Sequence, residues 1–144
     1  MTETEGRRWL LNRAKQGGWL YQPIESSVTG IGIPDGYFRT WKNDGWIELK
    51  SFNFCGQGIK KVPFRPGQFN WLQRHTLLGG NSFLFIFYTV KVASGNHVCI
   101  CVFKDKNIKQ EYVYEDRVKA ELDALVRDID ALILEQLLNN SLIM

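Results

Sequence analysis

Between Ser82 and Val92 the chain runs Phe83-Leu84-Phe85-Ile86-Phe87-Tyr88 without a polar break. No other stretch limits the fold as strongly. A half-exposed strand alternates apolar and polar residues, so an unbroken run of this length suits a central strand buried on both faces. Ser94-Gly95-Asn96 reads as a turn, and His97–Phe103 as the strand returning from it. Cys99 and Cys101 fall two apart in that return and share one strand face. With Cys55 they make an odd count, which reads as buried reduced thiols rather than a disulfide framework. His75 and His97 have no partner at zinc-ligand spacing.

Helical patterns flank this run. Residues 5–16 read as a helix with Trp9, Leu10 and Arg13 near one face, Thr4 or Thr2 as its cap and Gly17-Gly18 as its stop. Trp19–Ile24 follows as a strand at an edge, or one ended by Pro23. Pro66 suits the first turn of a second helix reaching about Leu78. Phe69, Leu72 and Thr76 of that helix can face the sheet, while Gln68, Trp71 or His75 face a cleft. From residue 115 to about 139, Val118, Leu122, Leu125, Ile129 and Leu132 recur four and three apart, a helical seam. The expected organisation is one domain, with a core over residues 1–114 and an amphipathic helix within 115–144. That helix either packs on the core or forms a two-fold contact in a homodimer.

The chemistry concentrates before the apolar run. Gly30-Ile31-Gly32-Ile33-Pro34-Asp35-Gly36 precedes a short apolar pair, Tyr37-Phe38, a turn signal, Asn43-Asp44-Gly45, and then Trp46-Ile47-Glu48-Leu49-Lys50. The pattern reads as two strands joined by a hairpin. Glu48 and Lys50 then share one face and Leu49 takes the other. A four-residue loop over Trp41–Asp44 pairs Thr40 with Gly45 and sets Asp35 opposite Lys50. Glu48 becomes Asp35's diagonal neighbour, about 7–8 Å away, near enough for both carboxylates to share one cation. A tighter turn on Asn43-Asp44 moves Asp35 opposite Phe52 and separates them. Two acids and a lysine on one face suit Mg²⁺ or Mn²⁺, hard ions that take oxygen ligands. The same spacing also fits an exposed hairpin whose Glu and Lys form a surface pair of little weight.

Ile33-Pro34-Asp35 followed by Ile47-Glu48-Leu49-Lys50 resembles the PD-(D/E)XK nuclease signature. The similarity is to its small single-domain members, the virus-type replication-repair (VRR-NUC) nucleases and the Holliday-junction resolvases. Gly30, the helix opening at Pro66-Gly67-Gln68-Phe69-Asn70-Trp71-Leu72, and Gly79-Gly80 before the hydrophobic strand extend the resemblance over about residues 5 to 90. It implies a restriction-endonuclease-like αβββαβ core with a mixed central sheet, here with an extra returning strand and a C-terminal helix. It also implies Mg²⁺- or Mn²⁺-dependent endonucleolytic hydrolysis of DNA, structure-selective for branched DNA or a Holliday junction. Asp35, Glu48 and the backbone carbonyl of Leu49 would be metal ligands and Lys50 the catalytic lysine. Gln68 would orient that lysine, the water or the scissile phosphate. A glutamate on the first helix would reach the metal, with Glu5 preferred, because Trp9 one turn on turns that face inward, and Glu3 in reserve. Glu25 is a further acidic candidate. A non-catalytic DNA-binding module that keeps the fold is the rival reading, and a protein-interaction module using the acidic C-terminal segment is a third. By analogy, the compact stand-alone form suggests a phage or other mobile-element source.

Charge is unevenly spread. Residues 1–114 hold 15 Lys and Arg against 8 Asp and Glu, and residues 115–144 hold 3 against 7. A basic body suits a polyanion such as DNA; ordinary surface charge is the alternative. Phe52–Arg65, rich in Gly, Pro and basic residues, reads as a loop. Lys60, Lys61 and Arg65 are its candidate phosphate contacts, and Arg74 adds one on the second helix. Glycines 30, 32 and 36 would let a phosphate backbone approach closely. No stretch approaches eighteen apolar residues, and the N-terminus lacks the apolar core of a signal peptide. A cytoplasmic protein is expected.

Overall fold

The computed structural model describes residues 1–24 and 32–139. Its centre is a six-stranded mixed sheet in the order β1-β2-β3-β5-β6-β8. The strands are β1 (Leu20–Pro23), β2 (Gly36–Arg39), β3 (Asp44–Ser51), β5 (Ser82–Val92), β6 (Gly95–Lys104) and β8 (Leu122–Leu125). Only β3 and β5 run parallel; β1–β2, β2–β3, β5–β6 and β6–β8 are antiparallel. A small ribbon of β4 (Lys60–Lys61) and β7 (Glu111–Tyr112) stands beside the sheet. The helices are α1 (Glu3–Gly17), α2 (Gln68–Leu77) and α3 (Ala131–Leu138). None is long and apolar enough to cross a membrane among the described residues.

The continuous apolar run does what its composition requires. β5 is buried from Ser82 to Tyr88, and its side chains alternate between two cores. Phe83, Phe85 and Phe87 pack with Leu10 and Ala14 of α1 and Leu134, Leu137 and Leu138 of α3. Leu84, Ile86 and Tyr88 pack on the other face with Leu72 of α2, Phe54 and Tyr112. A parallel neighbour needs a crossover connection, and α2 lies in the one joining β3 to β5. Trp46 of β3 meets Trp71 of α2 edge-to-face at 5.3 Å, which holds α2 over β3.

α1 begins two residues earlier than its apolar pattern suggests. Thr2 is the cap, its hydroxyl accepting from the Glu5 N–H while the Glu5 carboxylate accepts from the Thr2 N–H, a reciprocal capping box. Gly18 closes the helix in the left-handed conformation at φ 73°. The turn after β5 falls on Ala93-Ser94, one residue before the expected position, with Val92 opposite Gly95. Lys60 and Lys61, expected in a loop, form β4 through pairing with Tyr112 and Glu111.

The largest departure is at the C-terminus. Residues 115–139 are not one helix but a 3₁₀ segment (Tyr114–Lys119), strand β8, a 3₁₀ turn (Val126–Asp128) and α3. Of the expected seam, Val118 is 81% and Leu132 61% exposed while Ile129 is buried, so those residues share no face. Alternation won over the heptad: Leu122 and Ala124 join the core under α1, and Leu125 joins the opposite one. Aspartates add the reason, since they favour caps and local hydrogen bonds over helix interiors. Asp130 caps α3 by accepting from the Ile133 N–H at 2.8 Å. Asp123 instead takes the Tyr88 hydroxyl and the Arg117 guanidinium. The homodimer contact drawn from that seam loses the surface it rested on.

Candidate metal centre

The β2–β3 turn sets the site's geometry. Thr40 accepts from the Lys42 and Asn43 N–H groups through its hydroxyl and donates its own N–H to the Asn43 carbonyl at 2.8 Å. The loop therefore spans Thr40–Asn43, and Arg39 pairs with Asp44. This is one residue earlier on each strand than expected. The last ladder pair is Gly36 with Ile47, so Asp35 faces Glu48 across the point where β2 leaves the sheet, rather than facing Lys50. The shift moves Asp35 by two positions along β3 and leaves it on the same face.

Beyond Ile47, β3 has lost β2 as a partner, and Asp35 takes over part of that role. Its Oδ2 accepts the Leu49 N–H at 2.7 Å, while its own N–H donates to Glu48 Oε1 at 3.2 Å. Gly36 is required here by the protein itself. A Cβ would lie 2.5 Å from the Tyr21 ring. At Gly32 (φ 90°) a Cβ would lie 2.5 Å from the Gly67 carbonyl oxygen, at the N-terminus of α2. These two glycines serve internal packing, not the approach of a phosphate backbone. Gly30 and Glu25 lie outside the described residues.

Four side chains converge on this gap. Carboxylate oxygens of Glu3, Asp35 and Glu48 all lie within 4.8 Å of one another. Lys50 Nζ is 3.2 Å from Glu48 Oε2, 3.9 Å from Glu3 Oε1 and 2.9 Å from Gln68 Oε1. Glu48 and Lys50 are only 1% and 2% exposed, because their neighbours on β5 are Leu84 and Ile86. Gln68, also buried, accepts a second bond from the Arg65 N–H at 2.8 Å. Its placement follows from Gly67, whose left-handed φ of 85° starts α2. The Leu49 carbonyl sits in β3 between the acid and the lysine.

Electrostatically the cluster is short of positive charge. Burial first and the Asp35 carboxylate next push the Glu48 carboxyl from 4.5 up to about 8, against the opposing pull of Lys50. Glu48 Oε2 is buried and, apart from the Lys50 ion pair, makes no hydrogen bond. Three carboxylates at this spacing with an uncommitted buried oxygen fit a small divalent cation with oxygen ligands. Burial and the nearby Asp35 charge also raise the Tyr21 phenol well above its ordinary value, keeping it neutral.

Sequence reasoning preferred Glu5 as the first-helix acid, whereas its reserve, Glu3, is the one that reaches the cluster. Glu5 is fully exposed and engaged with Thr2, which holds its carboxyl below the usual range. Glu3, two residues earlier and on a different side of α1, is the one in the cluster. Starting α1 at Thr2 would have revealed this. Arg7 and Tyr21 were missed. Arg7 stands four residues after Glu3, hence on the same helix face, and its Nη2 is 3.1 Å from Asp35 Oδ1. Of the candidate phosphate contacts, Lys61, Arg65 and Arg74 are exposed and Lys60 is half-buried. Arg65 adjoins the cluster through Gln68, whereas Arg74 lies about 9 Å farther along α2.

No protein-family model and no curated protein sequence matches the chain. Among solved structures, it is similar to the 1.6 Å structure of Hjc, a Holliday junction resolvase from the archaeal hyperthermophile Archaeoglobus fulgidus. That match covers 92% of this chain and 98% of the other, with a TM-score of 0.58 and 11% identity. The likeness is one of fold: a restriction-endonuclease-like α/β domain with a mixed central sheet.

Proposed function

We propose that this protein is a divalent-metal-dependent endodeoxyribonuclease that cuts branched DNA. The observation carrying the reading is the meeting of Glu3, Asp35 and Glu48 within 4.8 Å beside a buried lysine. The fold shared with a Holliday junction resolvase supports it. Asp35, Glu48 and Glu3 would hold the cation, with the Leu49 carbonyl as a further ligand. A Mg²⁺ or Mn²⁺ ion so bound polarises a phosphodiester oxygen and lowers the pKa of a water. Lys50 presents its ammonium to the attacking water or to the charge that develops on phosphorus. Gln68 fixes that ammonium, because its Oε1 is itself held by the Arg65 N–H. Arg65, Lys60, Lys61 and Arg74 contact the DNA backbone and supply affinity without sequence preference.

The test is a panel of labelled four-way junction, flap, nicked, single-stranded and linear duplex DNAs with Mg²⁺ or Mn²⁺. The expected result is cleavage of branched forms, with paired nicks across the junction, lost in Asp35→Ala protein that still folds. Wild-type protein inert on every form refutes the enzyme. DNA binding without cleavage and without metal uptake would favour the rival, a binding module that keeps the fold.

A further inference from the structure

Each of the two central acids has one oxygen committed to the backbone and one turned to a cation. Asp35 Oδ2 takes the Leu49 N–H, and Glu48 Oε1 takes the Asp35 N–H. The remaining oxygens differ in partner: Glu48 Oε2 faces Lys50, and Asp35 Oδ1 faces Arg7. Lys50 is buried on all sides. Arg7 is not: its side chain is 36% exposed, against 11% for Asp35, and its Nε makes no hydrogen bond. The arginine thus holds Asp35 from the solvent side with one end of a fork built for two-point contacts. Of the two Asp35 oxygens, the one free of the backbone to meet a cation shared with Glu48 and Glu3 is Oδ1, the oxygen Arg7 occupies.

Resting on the metal-site reading above, we infer that Arg7 is a resident counter-cation of this site. It positions Asp35 for the incoming ion, is displaced from Oδ1 when the ion binds, and hands its charge to the DNA phosphate entering the cleft. The physical logic is substitution. Without metal, three carboxylates lie within one small volume, and a guanidinium on the rim offsets their repulsion. A divalent ion held there would repel the guanidinium and take its place on Asp35. A phosphodiester is the anion that arrives next, and Arg makes charge-assisted contacts with phosphate as readily as with carboxylate. Helix spacing supports the pairing of roles: Glu3 and Arg7, one turn apart, bring an acid for the metal and a base for the phosphate to the same gap. Arg7 is therefore a positioning residue first, acting through Asp35, and touches substrate only after the exchange.

Mn²⁺ binding measured by calorimetry and electron paramagnetic resonance, without DNA, tests the exchange on the full chain. Arg7→Ala should bind Mn²⁺ about tenfold more tightly than wild type, the worth of one part-buried charged hydrogen bond no longer competing. The same variant should melt lower in chelator, gain more from Mn²⁺, and cut branched DNA several-fold more slowly at saturating Mn²⁺. If Arg7→Ala does not fold, Arg7→Gln drops the charge with less loss of packing, and must also bind Mn²⁺ more tightly. Equal or weaker Mn²⁺ affinity in a folded variant overturns the inference, and unchanged cleavage at saturation overturns the hand-over to phosphate. Failure of the underlying function looks different. Wild type would then bind no Mn²⁺ that Asp35→Asn abolishes, whatever Arg7 does.

Discussion

Replacing Glu48 by Gln isolates the electrostatic strain of the site. The Glu48 carboxyl rises from 4.5 to about 8, through burial and then through Asp35. Its folded-state pKa lies above the unfolded one, so the native chain binds the proton more tightly than the unfolded chain does. Stability from this group is fully present below about pH 4.5 and is lost as pH climbs through about 8. Taken over that interval the ceiling is about 5 kcal/mol. Relaxation and water entry around a charged group reduce this to a few kcal/mol, on the order of 2–3, or about 8 °C in Tm for a chain of this size. Glu48→Gln has nearly the same shape and cannot ionise. The assay is calorimetric melting of both proteins in chelator from pH 5.5 to 9. The gap between wild type and variant should be smallest at the acid end, with wild type falling progressively below the variant as pH rises towards about 8. Adding Mn²⁺ should restore wild type at high pH and leave Glu48→Gln largely unaffected. A gap between the two that stays flat with pH would refute the claim that Glu48 is under charge strain.

Lys50→Ala should slow single-turnover cleavage by about 10²–10³ while calorimetry still detects Mn²⁺ binding. Gln68→Ala should lower the single-turnover rate less, because the Lys50 ammonium loses one anchor and keeps its ion pair with Glu48. Reversing both Lys60 and Lys61 to Glu should weaken DNA binding and lower the slope of log affinity against log salt by about two; an unchanged slope in a filter-binding titration removes β4 from the DNA path. Asp123→Ala strips Tyr88 and Arg117 of their shared acceptor and should cost about 1–3 kcal/mol in urea melts, without altering metal affinity.

How legible the molecule was depends on which force decided each element. Burial decided β5, and six apolar residues in a row announce it without help from elsewhere. The hairpin was readable in type but not in register. The choice between loops over Thr40–Asn43 and Trp41–Asp44 rests on the Thr40 hydroxyl bonding two backbone N–H groups, a local bond with no periodic trace. Even so, a register error of two positions keeps side chains on their face, and Asp35, Glu48 and Lys50 still share one. Gln68 was legible because Pro66-Gly67 starts a helix beside it. Glu3 and Glu5 were confused because both sit in the first turn, and only the true cap, Thr2, separates the acid that caps from the acid that points to the site. The C-terminal stretch defeated periodicity outright. Val118, Leu122, Leu125, Ile129 and Leu132 have helical spacing by coincidence, while the open edge of β6, visible only in three dimensions, recruits Leu122–Leu125 as a strand.

The central claim is that Asp35, Glu48 and Glu3 share one divalent cation. Crystals soaked in Mn²⁺ and measured at the manganese absorption edge test it most directly. The account predicts a single anomalous peak within coordination distance of all three carboxylates, with the Arg7 side chain moved off Asp35. A well-soaked crystal with no peak there, or with manganese bound only elsewhere, contradicts it.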